Sequence, residues 1–252
     1  MDETEKLPFT SHLEELRKRL IRCCIAVAVG SGISYAFKEK LFEILTRPLI
    51  HAMPPGGKLI YTGISEAFFT FLKVSLLSGI LMAVPVIVFE FWMFVAPGLY
   101  RHERKLILPI VILSSVFFLG GAFFGYFVVF PVGFKYLLGF TTDTIQPFPS
   151  MKEYLSLAST MLLAFGCVFE LPMVITFLAR LGLVSVGFLT TNRKYAILVF
   201  FIVAAILTPT PDVVSQTLLA VPLMALYEIS ILGARLFGKK SAENRAEDSP
   251  PA

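Results

Sequence analysis

The chain has 252 residues, 56% hydrophobic and 16% charged, with 25 Phe and a mean hydropathy of +0.77. A soluble domain carries about 25% charged residues, so this composition argues against a soluble globular fold, and the apolar excess falls in long runs of the kind a lipid-facing helix needs. The net charge of +4 excludes little by itself, because in a membrane protein the position of each charge carries the information.

The chain opens on MDETEK, which is acidic and unlike the basic start of a cleaved signal peptide, so the first apolar run is expected to remain as an anchor. Residues 11–20 then predict an amphipathic helix with Leu13, Leu16 and Leu20 on one face. Ser11 and Glu14 fit the capping box S-x-x-E. Glu15 points away from the leucine face, and its structural role would be an ion pair with Arg19 four residues on.

Six apolar runs follow, at 20–37, 68–95, 106–131, 154–178, 195–207 and 213–232. The first four are long enough to cross a hydrocarbon core of about 30 Å, whereas thirteen residues in the fifth give roughly 20 Å. The fifth and sixth are expected as two short crossings; one re-entrant hairpin is the alternative. Pro85, Pro172 and Pro222 fall within the second, fourth and sixth runs and are expected to kink them.

Of the connections, residues 38–67 hold Pro48, Pro54, Pro55, Gly56 and Gly57, and residues 132–153 hold Pro147 and Pro149. Both are expected as ordered caps on the outer side. If the N-terminus lies inside, the inner segments carry fifteen Lys and Arg and the outer segments six, so both termini are placed in the cytoplasm. The fold expected is therefore an all-α membrane bundle of six kinked helices. It forms one membrane domain, with a cytoplasmic lead-in at 1–19, the bundle at 20–232 and a cytoplasmic tail at 233–252 whose polar end is disordered.

Enzymatic chemistry finds no foothold. There is no HExxH, GxSxG or P-loop, and His12, His51 and His102 all lie outside the apolar runs. Cys23, Cys24 and Cys167 have neither redox nor metal spacing, and no cofactor or nucleic-acid partner is expected. The candidates are carboxylates instead. Glu15, and Glu103 in the inner loop APGLYRHERK, each lie beside bulky apolar residues, a setting that suits a ligand carrying guanidinium groups. Within the runs stand Lys73, Glu90, Glu170, Gln216 and Glu228. Glu170 lies deepest, where an ionised group costs about 2.5–3.5 kcal/mol, and it is read as functional. Lys73, Glu90 and Glu228 lie nearer the ends, where they are expected to snorkel or meet headgroups.

The segments HLEELRKRL, FWMFVAPGLYRHERK, AFGCVFELP and LTPTPDVVSQTLLAVPLMALYEI, in this order and spacing, resemble the signature segments of the TatC family over nearly the whole chain. That family is the multispanning subunit of the twin-arginine protein translocase. The resemblance implies a cup-shaped six-helix receptor in the bacterial cytoplasmic membrane that exports folded proteins on the proton-motive force. It implies partners of the TatA and TatB single-span type, twin-arginine signal peptides as ligands, and self-association in a larger complex. It gives signal-peptide binding to Glu15 and Glu103, with Leu16, Arg17, Phe94, Leu99 and Tyr100 around them. The membrane-embedded glutamate corresponds to Glu170, the outer-loop proline to Pro48, and a characteristic tyrosine to Tyr126. Glu90 departs from the pattern, which usually has a neutral glutamine there, and this leaves its role open.

Two readings from other classes remain open. A secondary transporter or proton-coupled channel would use Lys73, Glu90 and Glu170 as an ion path, although no internal repeat supports it. A ligand-free scaffold would leave Glu15 and Glu103 freely replaceable.

Overall fold

The computed structural model describes residues 9–95, 107–140, 142, 146–208 and 212–238, with side chains from His12 onward. Among these, all regular structure is helical, apart from an isolated bridge pairing Ile60 with Ser150 and a further bridge position at Thr142. The chain forms two compact units: Met1–Ile50, Gly57–Leu119 and Phe148–Ser156 in one, His51–Gly56, Gly120–Pro147 and Leu157–Ala252 in the other.

The first unit is built on α1 (Phe9–Tyr35) packed along α3 (Glu66–Val95). The helix axes approach closely because the crossing is made of small residues. A methyl group built on Gly30 would stand 2.9 Å from the carbonyl oxygen of Gly79, and one built on Gly79 would run into Ser31. Side-chain contacts also link helices in this unit: Ser34 Oγ lies 3.6 Å from Met82 Sδ, and Trp92 Nε1 donates to Ser114 Oγ at 3.3 Å in α4 (Ile107–Phe124). The opposite face of α1 leaves Leu20, Ile25, Val29 and Ile33 more than half exposed, as lipid contact requires. Since α1 already begins at Phe9, Ser11 lies inside the helix and not at its N-cap.

The connection at 38–67 holds a helix that its proline content concealed. It is α2 (Lys38–Ala52), turned 90° from α1, with Leu45, Thr46, Pro48 and Leu49 buried on one side. Pro48 sits within this helix despite its missing N–H. Nearby, the Leu45 carbonyl accepts the hydroxyl of Tyr154, from the start of α6 (Met151–Phe169). Glu66 then clips the two connections together. Its Oε2 accepts the backbone N–H of Thr62 at 2.8 Å and of Gly63 at 3.2 Å, and its Oε1 accepts Ser150 Oγ at 2.7 Å and Lys152 N at 3.0 Å. Ile60 adds backbone bonds to Pro149 and Met151.

The second unit contains the π-helical turn Gly125–Val129, α5 (Phe130–Leu138), α7 (Leu171–Arg180), α8 (Val186–Thr191), α9 (Arg193–Leu207) and α10 (Val213–Phe237), with the later parts of α4 and α6. Gly121 and Gly125 admit Phe165, whose ring lies 5.8 Å from that of Phe124. A separate core joins Ala179, Leu189, Phe200, Leu223, Tyr227, Ile231 and Ala234, and Tyr227 donates its hydroxyl to the Leu189 carbonyl at 2.9 Å. Asp212 caps α10 by accepting Ser215 N at 2.8 Å, which explains the one charge in the connector TPTPD.

Pro85 and Pro222 lie within unbroken helices; the chain breaks at Pro172, where Glu170 separates α6 from α7. Among the described residues, four stretches suffice by length and apolar content to cross a bilayer alone: α3, Ile107–Leu138, Met151–Arg180 and α10. The sixth run is therefore not short, because α10 continues past residue 232 to Phe237. The fifth is short, with 15 residues in α9. The first meets the criterion only together with α2.

Candidate functional site

At one end of the first unit, α1 presents His12, Glu15, Leu16, Arg17, Arg19 and Arg22 within three turns, and α3 presents Glu90 and Phe94 one turn apart. Helical periodicity sets this arrangement. Glu15, Arg19 and Arg22 follow at four and three residues, so they share the face toward α3, while Leu13, Leu16 and Leu20 stay exposed beside them. Stacking of His12 on Phe94, with ring centroids 4.4 Å apart, joins the two helices at this end.

The polar groups form an alternating chain of charges. Arg19 directs Nε, at 3.2 Å, and Nη2 to a single oxygen of Glu15, Oε1. Its Nη1 reaches across to Glu90 Oε2 at 2.9 Å. Arg22 Nη1 completes the chain at Glu90 Oε1, 3.2 Å away. The side chain of Glu90 is only 7% exposed and that of Arg19 13%, whereas Glu15 keeps 32% and Arg22 62%. Two guanidiniums thus match the buried Glu90 carboxylate, which would be costly at this depth if unpaired. Glu90 does not snorkel, as its position near the helix end suggested; it is an internal anchor.

The expected site residues meet different fates. Glu15, Leu16, Arg17 and Phe94 all lie at this one end of α1 and α3, and the Glu15–Arg19 pair is present. Glu103, Leu99 and Tyr100 lie outside the described residues. Pro48 is buried in α2. Glu170 is half-buried at the α6–α7 break, its N–H donating to Cys167 O at 3.2 Å, and Gln216 is half-buried in the first turn of α10. Both belong to the second unit. Glu228, read as an interfacial group, pairs with Arg193 at 2.9 Å. Lys73 is exposed and lines a cleft of about 730 Å³ with Glu66, Lys152 and Glu153.

Sequence reasoning missed His12, Arg22 and Glu90 as members of the site. The i, i+3 spacing of Arg19 and Arg22 was the available signal; pairing across 71 residues to Glu90 leaves none.

Chemically, the site offers a part-exposed carboxylate with an apolar border and a guanidinium already seated on it. No metal-holding cluster accompanies it among the described residues. Comparison with known proteins gives this geometry a context. Residues 11–222 match the model of the family described as TatC, Sec-independent protein translocase protein. The Sec-independent protein translocase protein TatC of Desulforapulum autotrophicum is 65% identical over 245 residues, covering 97% of this chain and 90% of that protein. The protein of the same description from Escherichia coli strain K12 is 38% identical over 247 residues, covering 98% and 95%. A crystal structure of the twin-arginine translocase receptor TatC matches with a TM-score of 0.79 at 41% identity, covering 89% of this chain and 98% of that one.

Proposed function

Because the chain belongs to the TatC family of Sec-independent protein translocases, we propose that it is the membrane receptor that recognises twin-arginine signal peptides at the cytoplasmic face. It works in a complex with other Tat subunits, single-span partners of the TatA and TatB type and further copies of itself among them. Glu15 and Glu103 take the two arginines, while Leu16, Arg17, Phe94, Leu99 and Tyr100 border the peptide. The chain acts as one membrane domain crossing the bacterial cytoplasmic membrane six times with both ends inside, a topology supported by the fifteen-to-six distribution of Lys and Arg.

The observation that carries the reading is the state of Glu15. Its carboxylate is 32% exposed, stands beside the exposed Leu16 and Arg17, and already accepts two N–H groups from one guanidinium. A guanidinium engages a carboxylate through a planar fork, whereas an ammonium offers a point charge, so this chemistry favours arginine over lysine.

The test is the affinity of a twin-arginine peptide, and of its twin-lysine counterpart, for membranes holding Glu15→Ala, Glu103→Ala or both. Charged hydrogen bonds contribute about 1.5–3 kcal/mol each, so either single substitution should weaken twin-arginine binding about tenfold or more at unchanged protein abundance. Unchanged affinity in the double variant would leave Glu15 a purely structural partner of Arg19.

A further inference from the structure

We infer that Arg19 is a built-in occupant of the Glu15 carboxylate, standing where a ligand guanidinium docks, and that Glu90 is the counter-site that retains Arg19 during the exchange. The inference rests on the assignment of Glu15 to ligand binding made above. It makes Arg19 a specificity-determining residue and Glu90 a positioning residue.

The hydrogen-bond pattern carries the argument. A guanidinium has five N–H donors in a rigid fork. Arg19 divides them, with Nε and Nη2 on Glu15 and Nη1 on Glu90. Its contact with Glu15 therefore breaks without stranding the charge. That matters because the Arg19 side chain is only 13% exposed, and a buried cation deprived of every partner is strongly disfavoured. Glu90 is suited to hold what is released: its two oxygens face two different arginines, and it stays anchored by Arg22 at 3.2 Å. Glu15 is the more exposed of the two carboxylates, 32% against 7% for Glu90, so an entering guanidinium reaches it first.

Exchange of one guanidinium for another conserves the fork geometry on Glu15, and the ligand's remaining contacts decide the outcome. An ammonium must displace the same fork with a point charge. Arg19 thus sets a threshold that lysine fails to pass, beyond the intrinsic preference of the carboxylate.

The charges predict a sign pattern that simple support of Glu15 does not. In full-length protein in membrane vesicles, Arg19→Gln should tighten binding of both peptides and lower the twin-arginine to twin-lysine affinity ratio about threefold or more. Glu90→Gln removes the counter-site and leaves Arg19 leaning on Glu15, so twin-arginine affinity should fall about fivefold. The pair Arg19→Gln with Glu90→Gln should regain that loss. Arg22→Gln deletes the same charge as Arg19→Gln without touching Glu15, so it should shift both affinities together and leave the ratio alone. Should Arg19→Gln fail to insert, Arg19→Lys carries the same test, keeping the charge, losing the fork and lowering the ratio. Weaker binding in Arg19→Gln, or an unchanged ratio in both Arg19 variants, overturns the inference while Glu15→Ala still weakens binding about tenfold or more. If Glu15→Ala binds normally, the assignment of Glu15 is what fails.

Discussion

Gly30 of α1 and Gly79 of α3 meet backbone to backbone, leaving no room for a methyl group on either. This contact lies more than two turns from the charge cluster on the same helix pair, so it sets how firmly the two sides of the site are held. Gly79→Ala should cost about 1–3 kcal/mol through overpacking. For a chain of this size each kcal/mol lowers the melt by about 2–4 °C. Gly120→Ala, where an added Cβ meets nothing within 4 Å, is the matched control. Equal melts of the two variants in detergent would show that α1 shifts freely on α3.

The connections at 38–67 and 132–153 depend on two side chains, Tyr154 and Glu66. Tyr154→Phe removes the hydroxyl that the Leu45 carbonyl accepts, and a hydrogen bond of this kind contributes about 0.5–1.5 kcal/mol. Glu66→Gln keeps the size of the clip but cannot accept at both oxygens, so the contacts to Ser150 and Lys152 or those to Thr62 and Gly63 should loosen. Both variants should become easier to cleave within residues 53–65 from the outer side. Protease resistance equal to that of the parent would mean that the connections are held elsewhere.

Much of this architecture was legible because lipid imposes a simple rule: long apolar runs must be helices. The runs at 68–95 and 213–232 reappear in α3 and α10 for that reason. α2 was hidden because Pro48 lies within it and a cluster of prolines and glycines follows, although Leu41, Leu45 and Leu49 already carried its period. The site was half legible. Glu15 and Phe94 stand at one end of a helix pair, but the link from Arg19 to Glu90 depends on α1 crossing α3 at two glycines, and no local spacing encodes a crossing.

Topology is tested by single cysteines on a background lacking Cys23, Cys24 and Cys167, which are free thiols. Positions near Gly57 and Ser150 should react with an impermeant reagent from outside, and positions near Arg101 and Ser185 should not. The charge asymmetry motivates this pattern. Labelling at 101 in intact cells would reverse the assignment.

Glu170 should serve transport more than peptide binding. It sits at the α6–α7 break in the second unit, whereas Glu15 belongs to the first. Glu170→Gln keeps shape and hydrogen bonding while deleting the charge, and should lower export without changing peptide affinity. Normal export with normal complex assembly would reduce this glutamate to a structural partner at the break.

The last prediction concerns where a single-span partner docks. α9 has 15 residues, which at about 1.5 Å each reach roughly 22 Å, short of a hydrocarbon core of about 30 Å. Lipid beside it must thin, and that deformation is relieved when another helix replaces lipid there. The surface is suited to this: Leu198, Val199 and Ile202 on α9, and Val213 and Val214 at the start of α10, are all more than half exposed. Beside them Gln216 is half-buried, one turn after the Asp212 cap, where its amide can meet a polar side chain of the partner. The correction to α10 sharpens the expectation, because with 25 residues that helix spans fully and the deficit is confined to α9. Photocrosslinkers at Val199, Ile202 and Val214 should therefore trap a single-span subunit in membranes, and Gln216→Leu should reduce the yield. Placed at Ile25 or Val29 on the exposed face of α1, the same probe should give little product. Crosslinks found on α1 and absent from α9 and α10 would show that thinned lipid does not choose the docking site.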